Sequence, residues 1–65
     1  MRILLWKIRH EKNLTLMQLA AISGISKTTL NDIENEKLSP TLKQLEAIAR
    51  AMNVRITDLF ESEFK

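Results

Sequence analysis

Gly24 is the only glycine in a chain of 65 residues, and it falls between two short stretches of helical periodicity. Glycine adopts left-handed backbone geometry without steric cost, so the chain can turn sharply there between two helices. Apolar residues recur at helical spacing from end to end, with no repeat, linker or low-complexity stretch between them. There is one proline and no cysteine, which argues against a turn-rich β fold and removes disulfides and cysteine–zinc sites. The single histidine, His10, cannot build a multi-histidine metal site. No metal and no cofactor are expected. A chain this short has only one core to carry it, and 45% hydrophobic residues supply that core. The expected fold is all-α: a compact five-helix bundle forming a single domain over residues 1–65. Apolar runs never exceed four residues, too short for a membrane span, and the start of the chain lacks a secretory pattern. A cytoplasmic protein with no membrane association is expected.

The elements follow from capping residues and apolar spacing. A first helix, about Arg2–Lys12, places Met1, Leu4, Leu5 and Ile8 on one face, and Asn13 suits its left-handed end. Thr15-Leu16-Met17-Gln18 reads as a capping box opening a second helix, about 15–23, with Leu16, Leu19, Ala20 and Ser23 inward. Ser26 caps a third helix, about 26–35. Its wheel, at about 100° per residue, sets Leu30 and Ile33 opposite Lys27, Thr28, Asn31, Asp32 and Asn35. Pro40 precedes a second capping box, Thr41-Leu42-Lys43-Gln44. The fourth helix repeats Leu42, Leu45, Ile48, Ala49 and Met52 and closes at Asn53. A fifth, about Thr57–Phe64, carries Leu59 and Phe60, with Asp58 near its N-terminus. Helices two and three form a helix-turn-helix unit: Gly24 permits the turn, small Ala20 a close crossing, and Ile25 fills the angle.

The residues Leu14-Thr15, Leu19-Ala20, Gly24-Ile25-Ser26, Ile33-Glu34-Asn35, Pro40, Leu45, Ile48-Ala49 and Leu59-Phe60 resemble the phage-repressor-like Cro/Xre helix-turn-helix family. The resemblance runs without a gap over about residues 3–60. It implies a sequence-specific transcriptional regulator, a repressor, that binds double-stranded DNA as a homodimer with the third helix in the major groove. It also implies an ion pair locking helix one to helix three, here matched by Arg9 and Glu34. For base contact it points to Lys27 on guanine, Thr28 on a thymine methyl, Asn31 on adenine and Asp32 on cytosine. For phosphate contact it points to the helix starts at Thr15, Leu16 and Thr41, with Asn35, Lys37 and Lys43 adding side-chain contacts.

Three departures from that pattern stand out. Leu16 occupies the place of a phosphate-binding glutamine, leaving only main-chain groups there. Asp32 brings negative charge to the DNA-facing side. Glu36 replaces the glycine after the third helix, so either Glu36 takes the left-handed conformation, at about 1–2 kcal/mol, or Asn35 does and the loop is remodelled.

Net charge is +2, and Asp58, Glu61 and Glu63 against Lys65 leave the last ten residues at −2, hence the first 55 at +4. That mild basicity suits a polyanion without requiring one. The acids around helix three and surplus apolar residues, Ile3, Trp6, Val54, Ile56 and Phe64, keep open an alternative function. In that alternative the scaffold is a protein-interaction module, an antitoxin or anti-regulator. Packing is expected for Trp6, and a dimer would use Val54, Ile56, Phe60 and Phe64 or the Ile3/Trp6 face. No enzyme is expected, because His10 has no positioned serine, threonine or carboxylate partner and no glycine-rich phosphate loop exists.

Overall fold

The computed structural model describes residues 1–65 as four α-helices, a 3-10 turn and a two-stranded ribbon. In chain order these are β1 (Arg2–Ile3), α1 (Leu5–Glu11), α2 (Leu16–Ser23), α3 (Lys27–Glu34), α4 (Leu42–Met52), the 3-10 turn Ile56–Leu59 and β2 (Phe60–Glu61). The helix boundaries follow the caps. Thr15 accepts from the Gln18 amide while the Gln18 side chain accepts from the Thr15 amide, at 3.0 and 2.9 Å. The same reciprocal pair joins Thr41 and Gln44, and Ser26 Oγ accepts from the Thr29 amide. Each supplies an acceptor to an amide that has no partner within its helix.

Left-handed residues end the helices. Gly24 lies at φ 77° and closes α2, and Asn53 at φ 56° closes α4. Asn13, also at φ 56°, follows α1. Beyond α3 it is Glu36 itself, at φ 57°, that turns left-handed. Its carboxylate accepts from the Ile3 amide at 3.3 Å, a bond that partly offsets the backbone strain.

Both ends of the chain depart from the five-helix expectation. Arg2–Ile3 is extended, so α1 starts three residues later than expected, and Met1 is exposed rather than part of an inward stripe. The expected fifth helix is replaced by the 3-10 turn and β2. Ile3 and Arg2 pair antiparallel with Phe60 and Glu61, and the Leu4 amide donates to the Leu59 carbonyl at 2.8 Å. Asp58 accepts from the Arg55 amide and so caps a single turn. Pairing with the chain start satisfies backbone groups that a longer C-terminal helix would have satisfied internally.

The core consists of Leu5, Leu19, Leu30, Ile33, Leu45, Ile48, Ala49, Met52 and Leu59. It lies where α2 packs on α3 and α4 and the 3-10 turn closes over α4. Val54 and Ile56 pack against this core, as does Ile3. Leu42, placed in the inward repeat by its spacing, is 76% exposed. It is the first residue of α4, and the apolar stripe turns inward only from Leu45.

Candidate nucleic-acid interface

The helix-turn-helix unit is fixed from both sides. On α3, Leu30 and Ile33 have no exposed area, while Lys27, Thr28 and Asn31 are exposed. A helix of eight residues has little stability of its own, so this burial is what holds α3 in place. Its exposed side is therefore presented by a rigid support. Asp32 sits half-buried at the edge of that side, and its carbonyl accepts from the Lys37 and Leu38 amides at 2.8 and 3.3 Å. Asn35 donates from its side-chain amide to Asn31 Oδ1 at 3.3 Å, which couples two neighbouring polar groups on the exposed face.

Arg9 and Glu34 form the second support. Arg9 Nε donates to Glu34 Oε2 at 2.5 Å and Nη2 donates to Oε1 at 3.1 Å, a two-pronged pair. The side chains are 11% and 5% exposed. A third Arg9 bond, Nη1 to the Leu14 carbonyl at 2.8 Å, ties the loop between α1 and α2 into the same cluster. One guanidinium thus joins α1, the start of the helix-turn-helix and the last residue of α3. Such a fork matches a carboxylate in geometry as well as charge.

The helix starts face solvent. Thr15 and Thr41 are exposed, and their hydroxyls accept from the third amide of α2 and α4. The amides of Leu16 and Met17, and of Leu42 and Lys43, precede the first intrahelical bond and point their hydrogens outward. Backbone amides of this kind suit phosphate oxygens. Leu16 is half-buried against the core, so at that position only the main chain is offered. Asn35, Lys37 and Lys43 are exposed. Asn35 and Lys37 flank the exit of α3, and Lys43 lies in the first turn of α4.

An open groove of about 480 Å³ runs between α1 and the starts of α2 and α3. Its walls include His10 from α1, Thr15 and Met17 at the start of α2, and Lys27 at the start of α3. His10 was legible in the sequence only as a lone surface histidine; nothing in local spacing tells that its ring borders the same groove as Lys27. Trp6, expected to be packed, is 58% exposed and rests on the His10 ring, with centroids 3.9 Å apart. The four-residue spacing on one helix face brings the two rings together. No cluster of histidine, cysteine or acidic side chains with metal-binding geometry is present.

Comparison with known proteins agrees with this architecture. The chain is 38% identical over 56 residues to the immunity repressor protein of Bacillus phage phi105, covering 86% of this chain and 39% of the phage protein. It is 35% identical over 60 residues to an uncharacterized HTH-type transcriptional regulator of Archaeoglobus fulgidus, covering 92% of this chain and 84% of that protein. It is also 37% identical over 57 residues to the ImmF control region 10 kDa protein of phage phi105, covering 88% of this chain and 63% of that one. The chain therefore spans well under half of the phage repressor and most of the archaeal regulator. Residues 4–65 match the model of the Cro/C1-type HTH DNA-binding domain. On that match, and on a helix-turn-helix held rigid by its core and by Arg9–Glu34, the chain belongs to the Cro/C1-type helix-turn-helix DNA-binding family.

Proposed function

We propose that the chain binds double-stranded DNA sequence-specifically as a transcriptional regulator, acting as a repressor, with α3 in the major groove. The observation that carries this reading is the division of α3 into a fully buried Leu30/Ile33 side and an exposed Lys27/Thr28/Asn31 side. In this reading Lys27 donates to guanine O6 or N7, Thr28 meets a thymine methyl, and Asn31 reads adenine. Asp32, at the edge, accepts from cytosine N4. The main-chain amides at the starts of α2 and α4, beside Thr15, Leu16 and Thr41, hold phosphates together with Asn35, Lys37 and Lys43. The repressor and regulator names of the phage and archaeal relatives support the same assignment. Such a regulator works in the cytoplasm, and no helix is long and apolar enough to cross a membrane.

A homodimer fits this function, since two copies read two half-sites about one helical turn apart. Its surface is either the C-terminal segment, where Phe64 is 90% exposed, or the Ile3/Trp6 face, where Trp6 is 58% exposed. Fluorescence anisotropy with a labelled duplex tests DNA binding directly. The logarithm of the binding constant should fall linearly with the logarithm of salt concentration, by about 0.9 for each phosphate neutralised. Binding that is absent, or unchanged by salt, would reject the reading.

A second reading has its own support. Met17, Ile22 and Leu42 are exposed as well as Trp6 and Phe64, and large apolar side chains that join into one patch mark protein-interaction sites. An antitoxin or anti-regulator built on this scaffold would bind a protein through them. A chain that ignores DNA but is captured by one protein partner would favour that function.

A further inference from the structure

The acids near α3 do not reach the groove between α1 and the starts of α2 and α3. Of the groove's walls, the ionisable side chains are Arg9, His10 and Lys27, and none is acidic. Glu34 lies beneath, consumed by Arg9. The groove also contains Leu16, where the chain offers no side-chain hydrogen bond.

His10 lines this groove and is exposed to solvent. Its ring is braced by Trp6, tilted 31° with centroids 3.9 Å apart. His10 Nε2 lies 3.5 Å from Arg9 Nη2. An imidazole carries at least one N–H in either tautomer, so the ring keeps a donor whichever nitrogen faces Arg9. The result is an exposed N–H donor in a groove of positive charge, next to main-chain amides that already suit an anion.

We infer that His10, braced by Trp6, is an additional phosphate-contacting residue that donates to the DNA backbone in the groove it shares with Thr15 and Lys27. The inference rests on the DNA-binding function proposed above and extends its phosphate-contacting set onto α1. His10 supplies the side-chain donor that Leu16 does not. Trp6 is a positioning residue: it touches the imidazole and leaves the phosphate to it.

The test uses the full chain and a fluorescein-labelled duplex of mixed sequence, about 25 base pairs long, at low salt, because phosphate contacts carry no sequence information. His10→Ala should weaken binding about fivefold, the net share of one ordinary solvent-exposed hydrogen bond, with the melting temperature unchanged. His10→Gln, which keeps an N–H donor, should bind within about twofold of the parent chain. Trp6→Ala should lose part of the fivefold, and adding it to His10→Ala should cost nothing more. If the parent chain binds in the salt-dependent manner proposed and His10→Ala matches it, the inference falls while the DNA-binding function stands. Equal weakening by Ala and Gln would overturn hydrogen-bond donation, and additive losses would overturn the positioning role of Trp6. A parent chain that binds no duplex overturns the proposed function and the inference with it.

Discussion

Removing either partner of the Arg9–Glu34 pair should cost a large share of the chain's stability. The pair is two-pronged and nearly buried, at 11% and 5% side-chain exposure, so deleting one partner strands a desolvated charge. That loss is about 3–5 kcal/mol for a buried pair. A small domain has about 0.05–0.15 kcal/mol of stability per residue, which puts the whole chain at about 3–10 kcal/mol. Arg9→Met also frees the Leu14 carbonyl from its 2.8 Å bond, so it should cost at least as much as Glu34→Met. Urea unfolding followed by circular dichroism at 222 nm measures both. For a domain of this size 1 kcal/mol moves the melting temperature by about 4–8 °C, so a drop of at least about 12 °C is expected. The double variant Arg9→Met/Glu34→Met leaves no unpaired charge and should recover a large part of the loss, because an apolar pair can replace a buried ion pair at little cost. A single-variant loss below about 1 kcal/mol, the range of exposed pairs, would mean that the pair is not desolvated. Strict additivity of the two losses would mean that the two side chains do not interact.

Other perturbations separate backbone, binding and assembly. Gly24→Ala should cost about 1–2 kcal/mol in urea unfolding, from left-handed geometry alone, since a Cβ there meets nothing within 4 Å; a neutral effect would contradict the turn geometry. Lys27→Ala should change which bases are preferred, whereas Lys43→Ala should weaken all duplexes alike and reduce the salt slope by about one unit, both read from anisotropy on a panel of sequences. The reverse pattern would exchange their roles. Sedimentation of Phe64→Glu and Trp6→Ala tests the dimer surface: at least one should shift the chain toward monomer, and a state unmoved by either would exclude both patches.

Most of the helical frame was legible because its signals are local. Thr15/Gln18 and Thr41/Gln44 are complete within four residues, and Gly24, Asn13 and Asn53 sit where left-handed geometry is needed. The ends were not legible for the opposite reason. Arg2–Ile3 becomes extended only by pairing with Phe60–Glu61, almost the whole chain away, and apolar spacing over 57–64 suits a helix equally well. Leu42 follows helical periodicity yet stays exposed, because periodicity assigns a face without saying where along the helix the core begins. Arg9 and Glu34 each lie at the border of an apolar face, so their inward placement was readable; the third bond to Leu14 was not. The groove that gathers His10 and Lys27 depends on how α1 meets α3, a relation with no short-range signature.

Sequence-specific reading of duplex DNA by α3 is tested by selecting binders from random duplex DNA and titrating the enriched pool against salt. Selection should yield an inverted repeat whose half-site centres lie about 34–36 Å apart, bound with a steep loss of affinity as salt rises. A pool that gains no motif after selection, or one whose binding ignores salt, would contradict that reading.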